Sequence, residues 1–224
     1  MRIYTLHSVA ENGISLSPRF FRRFMRHARR KYGFAELGRI GQEASSNGAI
    51  VTFDDCYADN FSNVLPVLEE MGAKAIFFFS PGFLGTVTWG SPRHQKWGEA
   101  RTADFNVPFA FMGRRELQVL RDLGHEIGFH SRTHRNLTEC SDAELKDEIV
   151  VAKSDWEDRL GFRFRYFAYP RGKYDARMPP LIAEAGFELA FTTQPGDVEP
   201  QNIAASPYLV PRYPVMRKGL FGWL

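Results

Sequence analysis

Apolar residues in this chain fall into two kinds of pattern. Unbroken runs such as Ala49-Ile-Val51 and Ala75-Ile-Phe-Phe-Phe79 suit strands covered on both faces, as in a parallel sheet. Between them lie segments whose apolar residues recur at helical spacing, such as Phe20, Phe21, Phe24, Met25 and Ala28. Read in order, the pattern predicts strands over 2–9, 48–53, 75–79, 126–130, 165–169, 188–192 and 208–210. Ser17-Pro18 is a helix start, a hydroxyl N-cap followed by proline, for a helix running to Tyr32-Gly33. Asp59-Asn60 opens a second helix closed by Gly72, and Pro66 inside it predicts a kink or a late start. Further helices run from Arg114 to Leu123, from the capping box Ser141-Asp-Ala-Glu144 to Leu160, and from Pro179 to Ala185.

Strand and helix alternate throughout, which predicts parallel strands joined by right-handed crossovers. The expected fold is α/β: a distorted, incompletely closed (β/α) barrel of about seven parallel strands, in one domain over 1–224. Residues 80–112 lack either period and are rich in Gly, Pro and Trp. A loop of that length in a compact domain is usually functional. It reads as a partial lid, with Trp89 and Trp97 either walls for a sugar ring or loop anchors. The apolar tail 218–224 is either packed or partner-seeking.

The chemistry lies at the strand ends. Asp54 and Asp55 follow one buried run, and His130 and His134 follow another. One carboxylate and two imidazoles make a ligand set for a divalent ion that leaves coordination sites open. The remaining carboxylate can act as a general base. His7 and the turn after Tyr169 fall at strand ends as well, the face on which β/α barrels build their sites. Taken singly, each residue has a plainer reading, with Asp54 an N-cap, Asp55 a complement to the helix dipole and the histidines surface imidazoles.

Composition narrows the classes. The chain has 224 residues, 44% hydrophobic and 25% charged, long enough to bury a full core. No run approaches the ~18 apolar residues of a membrane span, and the first residues lack a signal peptide's apolar core. A cytoplasmic start is expected for a complete chain, and a peripheral or exported location if a leader has been trimmed. Cys56 and Cys140 make no metal spacing and read as reduced thiols. The net charge of +3 is local: residues 19–31 hold seven Lys/Arg and no acid. That stretch reads first as a solvated helix face, with peripheral membrane or polysaccharide contact as the alternative. Nucleic-acid binding is not expected, since no base-reading motif accompanies it.

With these residues in place, the sequence resembles the polysaccharide deacetylases of the NodB-homology type, carbohydrate esterase family four. Thr52-Phe-Asp-Asp55 is similar to the family's first motif, His130-Ser-Arg-Thr-His134 to its second, and Phe167-Ala-Tyr-Pro-Arg-Gly172 to its third. The resemblance implies that Asp54 is the base and that Asp55, His130 and His134 hold the metal, Zn²⁺ before Co²⁺ or Ni²⁺. Tyr57, Tyr169, Pro170, Arg171 and Arg212 become candidates for substrate binding. For Arg171 and Arg212, the choice between binding an anionic sugar and replacing a lost steering arginine stays open. The sequence departs from the pattern at four points, one being Arg171 where the third motif usually carries an aromatic. Cys56 replaces a glycine, Ala168 stands where an arginine steers the base, and no histidine follows His134 to serve as acid. Leu6-His7-Ser8-Val9 and Leu209-Val-Pro-Arg-Tyr-Pro-Val215 resemble an exopolysaccharide-biosynthesis branch whose N-terminal histidine is the acid, which assigns that role to His7. The implied activity is removal of acetyl groups from an N-acetylated amino-sugar polymer or oligomer. The rivals are an amide hydrolase of the same fold acting on a small amide or ureide, and a catalytically impaired sugar-binding homologue.

Overall fold

The computed structural model describes residues 1–12, 15–42, 48–89 and 108–215. Seven strands form one all-parallel sheet: β1 (Arg2–Leu6), β2 (Ala49–Asp54), β3 (Ala75–Phe79), β6 (Glu126–Phe129), β7 (Tyr166–Ala168), β8 (Leu189–Phe191) and β9 (Tyr213–Pro214). Their order is β8-β7-β6-β3-β2-β1-β9, a curled half-barrel with helices packed outside. A small antiparallel hairpin, β4 (Val87–Trp89) with β5 (Pro108–Ala110), lies within the stretch expected to be loop. Trp97 and the tail 218–224 lie outside the described residues.

The helices are α1 (Pro18–Tyr32), α2 (Leu65–Met71), α3 (Arg114–Asp122), α4 (Asp142–Lys146), α5 (Ala152–Leu160), α6 (Met178–Glu184) and α7 (Pro200–Ala205). The Ser17 hydroxyl accepts from Phe20 N–H, and Ser141 and Glu144 complete their capping box. Helical structure begins at residue 58 and runs through a π turn into α2, so the late start expected from Pro66 does not form; the proline sits just after that turn. A π-helical turn, Asn60–Val64, precedes α2, and a second, Asp147–Val151, divides the expected single helix into α4 and α5.

The two-residue strand period sorts side chains between two cores. Tyr4, Leu6, Val51, Phe53, Phe77, Phe79, Ile127, Phe129 and Phe167 face the helices. Ile3, Ile50, Ile76, Phe78, Tyr166, Ala168, Leu189 and Phe191 face the concave side. The register stacks that interior in layers: Ile3 beside Ile50, then Thr5 beside Thr52 and Ile76, then Asp54 beside Phe78 and Gly128. Leu37, Ile40, Val198 and Ile203 join the concave cluster, and Val198 N–H binds Met1 C=O where β1 begins. The interior is therefore apolar at the strand N-termini and turns polar toward the C-termini.

Residues 207–215 span the open side. Val210 N–H and C=O bond to Ala190 and Thr192 beside β8, and β9 then pairs with β1. The single strand expected over 208–210 is thus a bridge to one edge followed by a short strand on the other. Outside, α1 buries Phe21, Phe24, Met25 and Ala28 in the core. Its apolar face is used up internally and is not available to enter a bilayer. Among the described residues no helix is long and apolar enough to cross one.

Candidate active site

Asp54 ends β2 with the same inward parity as Ile50 and Thr52, and it is almost wholly buried. The chain then turns sharply. Asp55 and Cys56 adopt φ of 73° and 52°, a left-handed conformation that costs a non-glycine residue roughly 1–3 kcal/mol. Across the sheet, His130 follows β6, and Ser131 and His134 also have positive φ, 62° and 59°. Arg171, in the turn after β7, is the fifth non-glycine residue of this kind. All five lie in loops at the strand C-terminal ends, so the described backbone strain is concentrated around the site.

The strained turns bring Asp55, His130 and His134 together. One potential ligand atom from each lies within 4.8 Å of the others, and all three residues are buried. Asp55 Oδ1 is 3.2 Å from His134 Nε2 and 3.7 Å from His130 Nε2. His130 Nδ1 is 2.7 Å from the Ala168 carbonyl. A carbonyl only accepts, so Nδ1 carries the proton and Nε2 points its lone pair toward Asp55. That is the arrangement of a metal-ligating histidine with its outer hydrogen bond in place. Burial pushes the His130 pKa down, which keeps that lone pair available. The O/N/N donor set and its enclosure fit a divalent transition ion.

Arg212 is fully enclosed. Nη1 and Nη2 donate to the two oxygens of Asp54 at 2.8 and 2.9 Å. Nη1 also reaches Thr52 Oγ1 at 2.8 Å, and Nε donates to the Thr192 carbonyl at 2.9 Å. The guanidinium lies over Phe78, 5.2 Å from its ring centre. Burial alone would raise the Asp54 carboxyl. Arg212, helped by His130 and His7, outweighs it and holds the group well below the usual carboxylate range. The Thr5 hydroxyl donates to Oδ2 at 3.2 Å. His7 Nε2 lies 4.0 Å from the same oxygen, on a side chain 22% exposed.

Several residues expected to bind substrate sit elsewhere. Arg212 holds Asp54 from inside the barrel and has no surface to offer a sugar. Tyr57 packs with Phe83, Phe109 and Phe111 in an enclosed aromatic cluster, whose Phe83 ring centre is 6.0 Å from that of His134. Tyr169 is buried and donates to the Tyr208 carbonyl. Pro170 is buried as well. The side chains of these three residues are buried and offer little surface to a sugar. Arg171 is part-exposed and retains its candidacy.

The sequence matches the polysaccharide deacetylase family profile over residues 41–190. The chain belongs to the polysaccharide deacetylase family. Among known relatives, YxkH of Bacillus subtilis (strain 168), provisionally named a polysaccharide deacetylase, is 21% identical over 155 residues, covering 69% of this chain and 48% of the relative. The chain therefore spans about half the length of that relative. The fold is shared with the Streptococcus pyogenes deacetylase PplD in complex with acetate, at a TM-score of 0.77 and 17% identity, covering 97% of this chain and 93% of the other. IcaB from Ammonifex degensii matches at 0.77 and 20%, covering 96% and 91%. Two departures from the family motifs now have a physical form. Cys56 takes up the left-handed turn that a glycine would enter without strain. Ala168 supplies only its carbonyl, to His130, and Arg212 brings the guanidinium to Asp54 from the opposite edge of the sheet.

Proposed function

We propose that this protein is a metal-dependent hydrolase that removes acetyl groups from N-acetylated amino sugars of a poly- or oligosaccharide. The observation that carries this reading is the juxtaposition of an Arg212-bound, ionised Asp54 with the buried Asp55/His130/His134 set. A divalent cation held by those three residues, Zn²⁺ being the best fit to their donors, would polarise the acetyl carbonyl and acidify the attacking water. Asp54 receives the water's proton, with Arg212 and Thr5 fixing the direction of its oxygens. Because Arg212 depresses its basicity, Asp54 is ionised across the working pH range and suits only a water already made acidic.

As the tetrahedral adduct collapses, the carbon–nitrogen bond breaks and the nitrogen must leave as a neutral amine. His7 is the residue we assign to donate that proton, from the rim beside Asp54. Its partial exposure suits a group that is recharged from solvent. The products are acetate and a free amino sugar, and acetate is also the molecule bound in the PplD structure. The test is acetate release from an N-acetylglucosamine oligomer by protein treated with chelator and then given Zn²⁺. Activity that returns with the ion and is lost in Asp54→Asn and His7→Ala, with ion content unchanged, is the expected result. Full activity after chelation would end the metal assignment. Full activity in Asp54→Asn would end the assignment of the base.

A further inference from the structure

Among the described residues, π-helical turns occur at Asn60–Val64 and Asp147–Val151. Such turns cost stability relative to a plain helix and gather at functional sites. Each of these carries, near its start, a buried polar side chain that reaches out of the helix to a loop bearing a site histidine. Asn60 Nδ2 donates to the His7 carbonyl at 2.9 Å. The neighbouring Asp59 takes Val9 N–H at 2.8 Å and the Ser8 hydroxyl at 2.5 Å. Asn63, within the turn, donates to the Val9 carbonyl at 2.8 Å. Residues 7–9 follow β1; Val9 also forms an isolated bridge with Leu16, and Asn60 supplies a hydrogen bond to the His7 backbone.

The second turn repeats the arrangement. Glu148 accepts from Thr133 N–H at 2.9 Å and from the Thr133 hydroxyl at 2.5 Å. Its own carbonyl accepts from Arg132 N–H at 3.0 Å. Thr133 precedes His134, whose left-handed backbone persists only if its surroundings hold it there. Asn60 is completely buried and Glu148 nearly so. Neither packs as helix filler, since an apolar residue would serve a buried helix position better.

We infer that Asn60 and Glu148 are positioning residues: the two π turns set the His7 and His134 loops against the site from opposite sides of Asp54 in the chain. The His7 half rests on the reading of His7 as the acid. The two halves have separate signatures. An aryl acetate expels a good leaving group and needs no acid, whereas an N-acetyl amide does. Asn60→Ala is therefore expected to lower kcat on an N-acetylglucosamine oligomer by about 10- to 100-fold, a part of the roughly 10²- to 10⁴-fold that a positioned acid supplies, and to change aryl acetate hydrolysis less than threefold. Glu148→Ala is expected to weaken Zn²⁺ binding, read by chelator competition, by about 10- to 100-fold, with Glu148→Gln restoring most of it. Where alanine impairs folding, Asn60→Leu, which keeps the branched shape and removes the Nδ2 bonds to His7 C=O and Asp59, and Thr133→Val, which removes only the hydroxyl bond to Glu148, take their place.

Equal loss on amide and ester in Asn60→Ala overturns the first half. Unchanged Zn²⁺ affinity in Glu148→Ala overturns the second. His7→Ala separates the proposal from its premise. If that variant loses amide and ester hydrolysis equally, the acid assignment itself fails. If it loses only amide hydrolysis while Asn60→Ala loses neither, the assignment stands and the positioning role falls.

Discussion

Replacing Arg212 by methionine keeps most of the side-chain volume and removes the charge that faces Asp54. The structure fixes what is lost: two hydrogen bonds to the carboxylate, one to Thr52 and one to the Thr192 carbonyl, none of them open to solvent. Breaking a buried pair by removing one partner costs about 3–5 kcal/mol, because the other charge is stranded. For a chain of this size that is a fall in Tm of roughly 10 °C. The pH dependence carries the sharper signature. In the native protein the Asp54 pKa lies below its unfolded value near 4. Its stabilisation is therefore complete above that pH and is lost as pH drops through the folded value. Without Arg212, burial dominates and the folded pKa rises above the unfolded one. The sign then reverses, and the variant loses stability as pH rises from about 4 toward neutrality. Urea unfolding in excess chelator at several pH values between 4.5 and 7 should show the gap between the two proteins widening with pH. Adding Asp54→Asn to Arg212→Met should recover part of the loss, since the stranded charge is gone. A variant with the native pH slope, or one that Asp54→Asn does not relieve, would refute the account.

Other outcomes follow from single contacts. His134→Ala should reduce bound Zn²⁺ to well below one per chain by elemental analysis, while a protein that keeps its full complement would not be using this ligand set. Gly128→Ala places a methyl 2.5 Å from the ring of Phe78, which underlies Arg212; overpacking of this kind costs about 1–3 kcal/mol, measurable by chemical denaturation, and deacetylation should fall with it. His125 is buried, its Nδ1 accepting from Ala75 N–H and its Nε2 3.3 Å from Glu69. Burial, with Lys74 nearby, pushes its pKa down to about 4. The unfolded chain takes up that proton near pH 6.5, so stability should decline as pH falls from 6.5 toward 4, by at most about 3 kcal/mol, and His125→Gln should flatten that slope.

Most strands, and the residues that come together as a candidate metal site, were legible because they rest on local signals. A two-residue alternation places Asp54 and His130 on the same concave face wherever the strands pair, and caps such as Ser17 and Ser141 need only their own turn. What stayed hidden is non-local or geometric. Arg212 stood open between binding a sugar and replacing the steering arginine; the second is what forms, and the choice depends on how residues 207–215 cross from β8 to β1. Tyr57 and Tyr169 looked like sugar-facing rings because motif position does not reveal burial. The π turns leave no clear mark in the apolar pattern, and their polar residues at 60 and 148 read as ordinary helix positions. The hairpin β4–β5 was missed because three-residue strands lie below the length at which alternation shows.

The crossing of residues 207–215 has a consequence for biogenesis. A ribosome releases chain from the N-terminus, at about 5–20 residues per second. Asp54 and both histidines of the second motif emerge well before Arg212, which is 158 positions downstream of the carboxylate it neutralises. Until that last crossing docks, the nascent sheet holds an acid that resists being enclosed, and closing so long a loop is slow compared with local folding. The Arg212–Asp54 pairing should therefore form late, as a step distinct from the gain of secondary structure.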